Sequence, residues 1–350
     1  MSRVQTPDEK LAALHKPTLQ TVQEFTFEPD DCLIICAGFE DRALAVLQSA
    51  AATKSPFGVL VINYLPFVEQ NKVAEIRDIC NRTSLSIHEV TYDRQNPAGF
   101  GTVLGEKISG VHGRLFVDIS AMSRLLIVQV LVSVRDRLEG FKNCFVAYAE
   151  AAKYPPNRKD TEAAIAKCDL DPTFSVLFLS SGVFEVTVVP ELSSAAVATS
   201  QTRLIAFPSL DADQITALRA ELQPSRFTFI EGIPPSPENK WRKQAISTLN
   251  RLDQLSRAER ISTSTLNYAE TLDCLLDIYA KHGILERLLI SPTGSKMQTV
   301  AVGLFRAFID DVQIVYPTPR GFRYPENYTS GIGPLHSLTL DKFAALASTC

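Results

Sequence analysis

The chain has 350 residues, of which 45% are hydrophobic and 21% charged, and its formal net charge is −4. These values are typical of a globular protein of two domains, and the slight acidic excess argues against a general DNA-binding or RNA-binding surface. Residues 1–20 lack the apolar segment of a signal peptide, and no apolar run reaches the roughly 18 residues of a membrane span, so we expect a cytoplasmic protein without a membrane segment.

Apolar runs alternate with helical patterns through the first 150 residues. The predicted strands are residues 32–37, 58–64, 85–92, 115–119 and 143–148, and the predicted helices are residues 43–51, 68–80 and 122–138, with a short helix compatible with residues 96–110. Continuous apolar strands are typical of a parallel sheet that is covered on both faces. The alternation predicts a doubly wound, mainly parallel sheet.

The second part of the chain repeats this pattern after a less regular stretch. Residues 153–160 predict a loop, residues 174–179 and 183–189 a hairpin, and residues 193–200 a connector. Strands are then predicted at 203–207, 226–231, 286–291 and 312–316, and helices up to 222 and at 241–256, 266–281 and 295–308. We expect Asp211 or Asp213 to cap the first of these helices. Residues 317–334 predict a long loop near the site.

The sequence therefore predicts an α/β fold with two Rossmann-like halves. The predicted N-terminal domain is residues 1–152, the hairpin and connector are residues 153–200, and the predicted C-terminal domain is residues 201–350. The seven cysteines and five histidines show no metal-ligand spacing, which indicates reduced core thiols. We expect neither a metal nor a cofactor.

A strand-turn-helix unit occurs twice, at residues 114–127 (RLFVDISAMSRLLI) and at residues 287–300 (RLLISPTGSKMQTV). In each copy a strand ends in small residues, and one basic residue, Arg124 or Lys296, precedes an apolar helix. Free N–H groups at a helix N-terminus, hydroxyl groups and a cation together form an anion site. Because a cation at this position opposes the helix dipole unless an anion is nearby, the repetition favours a phosphate-bearing ligand.

The loops that follow the strands of an open α/β sheet are where such folds bind ligands. The predicted ligand-binding residues in these loops are Gly38, Glu40, Arg42, Asp118, Ser120, Ser123 and Arg124 in the first half, and Ser209, Thr293, Gly294, Ser295, Lys296 and Arg320 in the second half. Hydroxyl groups, glycines and cations at one sheet edge suit a phosphate or a nucleotide better than an apolar ligand.

The same residues also have structural explanations. Serine and threonine before a helix act as N-caps whether or not a ligand binds. Arg42 and Arg124 have Glu40, Asp41 and Asp118 as nearby candidates for ion pairs. Both interpretations are compatible with the sequence.

The Walker A motif, the dinucleotide-binding glycine pattern and the Gly-x-Ser-x-Gly elbow are all absent. Glu40, Asp41 and Asp118 are the candidate catalytic residues, because carboxyl groups can act as a general acid and base. An alternative function is therefore a nucleotide-processing enzyme, such as a phosphodiesterase or a nucleoside hydrolase. A protein-binding scaffold without a ligand is a further alternative.

Residues 291–297 (SPTGSKM) resemble the later ligand loop of CRISPR-associated Rossmann-fold (CARF) domains, and residues 118–124 resemble a more divergent version of it. Residues 38–42 lie where such domains place their other ligand loop, and two fused copies look like the SAVED arrangement, which is similar to a tandem pair of CARF units. The resemblance implies a sensor for a nucleotide second messenger, a cyclic oligonucleotide or a related nucleotide signal, in bacterial antiviral defence. Since the sequence has no recognisable effector segment, it also implies a partner effector protein; an oligomer is compatible with this function.

Overall fold

The computed structural model describes residues 5–53, 55–170, 178–194, 201–255, 257–323 and 328–347. It has a mixed α/β fold with one sheet of seven strands and another of six strands, both mainly parallel. The contacts divide the chain into two units, of which the first contains the residues up to Tyr154 and the segment from Thr329 onward, and the second contains Pro155–Tyr328. The predicted fold class, α/β with two Rossmann-like halves, is confirmed.

The strands are β1 (Gln20–Val22), β2 (Cys32–Ala37), β3 (Gly58–Leu65), β4 (Ser86–Asp93), β5 (Leu115–Asp118), β6 (Cys144–Ala149), β7 (Val183–Val188), β8 (Thr202–Ala206), β9 (Arg226–Ile233), β10 (Glu259–Ser264), β11 (Arg287–Ser291), β12 (Gln313–Pro319) and β13 (Leu335–Thr339). The α-helices are α1 (Pro7–Ala13), α2 (Ala45–Ala51), α3 (Val73–Arg82), α4 (Phe100–Ile108), α5 (Arg124–Arg137), α6 (Arg158–Leu170), α7 (Asp213–Leu222), α8 (Trp241–Leu249), α9 (Tyr268–His282), α10 (Lys296–Phe308) and α11 (Asp341–Ala347).

The five parallel strands of each sheet have the same order. The first has the order β1-β13-β6-β5-β2-β3-β4, with β2 to β6 parallel and β13 antiparallel to both its neighbours. The second has the order β10-β9-β8-β11-β12-β7, with only β7 antiparallel among these strands. In each sheet the chain order reverses between two neighbouring strands, β2 and β5 or β8 and β11. Open α/β sheets bind ligands in a crevice at the carboxyl edge beside such a reversal.

Burial on both faces explains why the central strands are continuous apolar runs. In β2, Leu33 and Ile35 pack into a core cluster with side chains of α2 and α3, while Ile34, on the opposite face, is also fully buried. A strand covered on both sides favours apolar residues at most positions.

Several elements differ from the sequence-based expectation. The strands β1, β10 and β13 and the helices α1, α6 and α11 are additional, and α6 begins within residues 153–160, which were predicted to be a loop. The segment from Thr329 onward belongs to the first unit, because its strand β13 pairs with β6. The predicted boundaries placed residues 201–350 in one C-terminal domain. Strand β7 pairs with β12, and residues 174–177 of the predicted hairpin and 195–200 of the predicted connector lie outside the described residues.

The predicted cap of α7 is wrong. The residue at the N-cap position is Ala212, and no side chain caps the helix. The Asp211 carboxylate instead accepts hydrogen bonds of 3.0 Å from the backbone N–H groups of Phe178 and Leu179. The Asp211 side chain thus binds a neighbouring loop rather than the first turn of the helix.

A charged network stabilises the amino edge of the second sheet. Arg203 of β8 is 6% exposed, and its guanidinium donates hydrogen bonds to Glu286 and to Thr228 Oγ1 (2.8 Å). The Arg203 Nη1 atom also lies 3.5 Å from Glu259 Oε2, and His282 Nδ1 lies 3.3 Å from Arg203 Nη2. Because a buried arginine is costly unless it is paired, these partners offset the cost of burying Arg203.

The network lowers the pKa values of Glu286, Glu259 and His282. Burial by itself would raise the pKa of Glu286, but the hydrogen bond and charge of Arg203 outweigh it and lower the pKa. Burial likewise opposes the lowered pKa of Glu259, which results from Lys281 and Arg203. Burial and the charge of Arg203 lower the pKa of His282. All three groups therefore bind protons less readily in the folded chain than in the unfolded chain.

We expect acid to destabilise the protein through this network. Groups with lowered folded pKa values contribute stability above their unfolded pKa values, and this contribution is lost as the pH falls. The His282 contribution is lost first, below about pH 6.5, and the Glu286 and Glu259 contributions follow near about pH 4.3. Urea unfolding of the full chain between about pH 7.5 and pH 5.5 should show a shallower loss of stability in His282→Gln than in the wild type. An identical pH dependence in the two proteins would contradict this assignment.

Candidate functional site

The loops after β2 and β5 touch at the crevice of the first sheet. A Cβ atom on Gly38 would lie only 2.7 Å from the Cβ atom of Ala121, which is closer than two carbon atoms can approach. Glycine is therefore required at position 38 for steric reasons. Its carbonyl accepts a hydrogen bond of 3.0 Å from the N–H of Lys72, which attaches the loop before α3 to the same place.

Glu40 and Arg42 form a buried ion pair beside this contact. The Arg42 Nε atom lies 2.6 Å from Glu40 Oε2, and each residue is 5% exposed. Arg42 Nη1 also donates to the hydroxyl of Tyr148 (3.5 Å) and to the carbonyl of Ala149 (3.4 Å), and the Thr329 hydroxyl donates to Glu40. Although burial lowers the pKa of Arg42, the adjacent Glu40 carboxylate raises it above its ordinary value. The pair attaches the loop to β6 and to the returning segment and presents little surface to a ligand.

The other two candidate carboxylates also hold backbone in place. Asp41 accepts a hydrogen bond of 2.8 Å from the N–H of Gly331. Asp118 is 1% exposed and accepts hydrogen bonds from the N–H (2.9 Å) and the hydroxyl of Ser120. The Ser120 Oγ atom in turn accepts from the N–H of Ala149 at 2.8 Å. These contacts fix the turn between β5 and α5.

Tyr64 at the end of β3 supports the start of α5. Its hydroxyl accepts a hydrogen bond of 2.5 Å from the N–H of Ser123 and donates to the carbonyl of Ala121 at 3.4 Å. Burial raises the pKa of the Tyr64 hydroxyl well above its ordinary value, so it stays protonated and remains a donor. Ser123 Oγ caps the helix by accepting from the N–H of Leu126 (3.3 Å), and Arg124, the first helical residue, is half-buried.

The second unit builds the corresponding turn from different contacts. The Thr293 hydroxyl donates to the carbonyl of Phe207, at the end of β8, at 2.7 Å. The Ser295 hydroxyl donates to the carbonyl of Thr265, just after β10, at 2.6 Å. The hydroxyl groups of the turn thus attach it to the loops after two other strands of the sheet.

Ser295 and Gln298 form a capping box at the start of α10. The N–H of Gln298 donates to Ser295 Oγ (3.1 Å), and the N–H of Ser295 donates to Gln298 Oε1 (2.9 Å). Gln298 Nε2 also donates to Thr263 Oγ1 at 3.0 Å. A Cβ atom on Gly294 would lie 2.5 Å from Gln298 Oε1 and 3.0 Å from the Cβ atom of Phe207, so a larger residue there would displace the Gln298 side chain from the capping box.

The structure therefore brings Thr293, Gly294, Ser295 and Lys296 together with the loop after β8 at the crevice of the second sheet. The hydroxyl and amide groups of the turn bond largely to the protein itself. The first turn of α10 contains no acidic residue, and half-buried Lys296 is its first residue. Positive charge from the helix dipole and from the ammonium group thus coincides at this position.

Ser209 and Arg320 lie at the same edge of the second sheet but have different surroundings. The Ser209 hydroxyl donates to Gln214 Oε1 (3.0 Å) and accepts from the N–H of Asp211 (3.2 Å), which shapes the turn into α7. Arg320 follows the carboxyl end of β12 and is exposed, and its backbone N–H donates to the carbonyl of Gly182 at 2.9 Å.

Sequence reasoning did not identify Tyr64 and Gln298. The sequence could have identified Gln298, because Ser295-Lys-Met-Gln298 matches the capping-box pattern. The sequence could not have identified Tyr64, since its contact with the start of α5 depends on the strand order of the sheet.

In the described part of the chain, no three histidine, cysteine, aspartate or glutamate side chains are grouped as a metal site. Nor does any described helix have the length and hydropathy needed to cross a membrane.

No protein-family model and no curated protein matches this sequence. Among solved structures, the chain is similar to the cytoplasmic domain of a prokaryotic cation chloride cotransporter, with a TM-score of 0.23 and 9% identity over 86% of this chain and 98% of that chain. It is also similar to phosphoethanolamine N-methyltransferase 1 of Haemonchus contortus in complex with phosphoethanolamine and S-adenosylhomocysteine, with a TM-score of 0.21 and 10% identity over 78% of this chain and 70% of that chain. At these TM-scores the similarities support no conclusion about function.

We expect Gly38→Ala to destabilise the protein by about 1–3 kcal/mol, because the added methyl group overpacks the contact with Ala121. The double variant Gly38→Ala/Ala121→Gly should recover part of this loss. Gly110→Ala is the matched control, since a Cβ atom there has nothing within 4 Å. Chemical denaturation measures all three, and equal stabilities for Gly38→Ala and Gly110→Ala would show that the loops do not constrain each other.

Proposed function

We propose that this protein is a sensor that binds a phosphate-bearing nucleotide signal at the carboxyl edges of its sheets. The observation that supports this most is topological. In the second unit, the turn of residues 293–296 leaves β11 directly beside β8, where the strand order reverses. Open α/β sheets bind ligands in the crevice at this position.

The charge at the crevice favours an anionic ligand. A cation at the first position of a helix is unfavourable in the field of the helix dipole, and an anion bound there relieves the conflict. Lys296 and Arg124 occupy this position in α10 and α5, and neither helix has an acidic residue in its first turn. The same arrangement in both units supports a ligand with phosphate groups.

The second unit is the stronger candidate for the phosphate contact. In the first unit, the neighbouring cation Arg42 is buried against Glu40, which leaves Arg124 as the proposed cation of the first crevice. In the second unit, the Thr293 and Ser295 hydroxyls fix the turn, and Lys296 lies immediately after it. The proposed role of the hydroxyls is thus to hold the turn, and that of Lys296 is to attract the phosphate.

The ligand class follows from the resemblance of residues 291–297 to CARF ligand loops. On that basis we infer a cyclic oligonucleotide or a related nucleotide as the signal, bacterial antiviral defence as the context, and an effector protein as the partner that receives the signal. An enzyme that degrades the signal would form product from the bound nucleotide, and a scaffold would bind its partner without any nucleotide.

Calorimetric titration of the full chain with cyclic and linear nucleotides tests the proposal. We expect a phosphate-bearing nucleotide to bind and Lys296→Ala to weaken that binding by about tenfold or more, because a charge-assisted hydrogen bond contributes about 1.5–3 kcal/mol. The control is Lys167→Ala, which removes an exposed lysine of α6 in the same unit. For the first unit, Arg124→Ala is compared with Arg82→Ala, an exposed arginine paired with Asp78.

Binding that is equally strong in Lys296→Ala and Lys167→Ala would contradict the proposed site. The absence of binding by every nucleotide in the panel would contradict the proposed function. Chromatographic detection of product from the bound nucleotide would favour the enzyme instead.

A further inference from the structure

The chain passes from one unit to the other at two places, and both crossings meet at one pair of segments in the first unit. Tyr154 is the last residue of the first unit before Pro155, and Thr329 is its first residue after the chain returns. Next to these residues, the N–H groups of Lys153 and Ser330 each donate to the carbonyl of the other, at 3.0 and 3.2 Å. The two crossings are thus hydrogen-bonded to each other.

The two segments at the crossings, residues 150–154 and residues 329–334, are together called the connection below. They stay paired away from the crossings, since the N–H of Gly333 donates to the carbonyl of Glu150 at 2.8 Å. Gly331 has a φ of +70°, a backbone conformation in which most other residues are strained. The connection is therefore a defined structure rather than a loose linker.

The loop after β2 bonds directly to the returning segment of the connection. The Thr329 hydroxyl donates to the buried carboxylate of Glu40, and the N–H of Gly331 donates to Asp41 Oδ2 at 2.8 Å. These two carboxylates are adjacent in the sequence and hold two residues of the same segment. The second crossing is thus attached to the loop at the crevice of the first sheet.

Arg42, the next residue of the loop, reaches the first crossing through two tyrosines. Its Nη1 atom donates to the Tyr148 hydroxyl at 3.5 Å, and that hydroxyl lies 3.3 Å from the Tyr154 hydroxyl. The Tyr154 hydroxyl also accepts from the N–H of Ala151 at 3.0 Å. Residues 40–42 are therefore linked by hydrogen bonds to both crossings.

We propose that residues 40–42 couple the crevice of the first sheet to the connection, so that a bound ligand changes the stability of the connection. The same loop carries Gly38, which packs against Ala121 in the turn before α5. A ligand that holds these two loops together also holds the residues that bond to the connection, and packed, hydrogen-bonded groups of this kind carry coupling between sites. The inference rests on the proposed function, since the ligand is the one bound in that crevice. It gives the charged residues of the loop a role in transmitting the bound state.

Hydrogen–deuterium exchange of the full chain without any ligand tests the coupling itself. The double variant Tyr154→Phe/Thr329→Val removes the hydroxyl groups at both crossings and leaves residues 40–42 unchanged. We expect the amides of residues 38–44 to exchange faster in it by about threefold or more, because the loop loses hydrogen bonds. Amides within α5 should exchange as in the wild type, which separates a local change from loss of the fold. Thr91→Val is the matched control, since Thr91 is an exposed residue of β4 in the same unit.

The same measurement with cyclic di-AMP, and with each other nucleotide that binds in calorimetry, tests the transmission. In the wild type, the bound nucleotide should slow the exchange of residues 38–44 and also that of the connection. In the double variant it should protect residues 38–44 alone. Exchange of the connection that is unchanged in the wild type, or slowed equally in both proteins, would overturn the proposal.

The ligand-free comparison decides the inference separately from the proposed function. If neither cyclic di-AMP nor any other nucleotide binds, the proposed function fails, and faster exchange of residues 38–44 in the double variant still supports their coupling to the connection. Equal exchange of residues 38–44 in the double variant and in Thr91→Val would overturn the inference, whether or not a nucleotide binds.

Discussion

In each candidate site, the loop after one strand lies against the loop after the neighbouring strand, and the rest of the site depends on this contact. Gly38 meets Ala121 in the first unit, and Gly294 meets Phe207 and Gln298 in the second. A side chain at Gly38 would push against Ala121 in the turn before α5, and a side chain at Gly294 would displace Gln298 from the cap of α10. The contact therefore determines where the helix N-terminus and its first basic residue lie, and with them the charge that the crevice offers to a ligand.

The central parts of the fold could be predicted because their physical signals are local. Strand β2 is a continuous apolar run, and the apolar helix α5 follows a clear cap at Ser123. Strand β10 was missed because an edge strand with Glu259 and Arg260 lacks that apolar run. Strand β13 could not be assigned to the first unit, because its partner β6 lies far earlier in the chain and the sequence contains no sign of that pairing.

The candidate site was predictable in position but not in the roles of its residues. The small-residue turns follow β5 and β11, as the sequence predicted, and these two strands lie where the strand order reverses. Glu40 and Arg42 were predicted as ligand contacts, yet they form a buried ion pair, which was the structural alternative for two opposite charges so close in sequence. The Thr293 and Ser295 hydroxyls bond to carbonyls of loops that only the strand order brings near, so no sequence pattern could assign these partners.

The most direct test of the central claim is hydrogen–deuterium exchange of the full chain with and without the nucleotide that binds best in calorimetry. If the ligand sits at the reversal of strand order, the backbone amides of residues 293–298 and of the loop after β8 should exchange more slowly in its presence. Protection should be weaker in Lys296→Ala at the same nucleotide concentration. Protection confined to other parts of the chain, with the amides of residues 293–298 unchanged, would contradict the account.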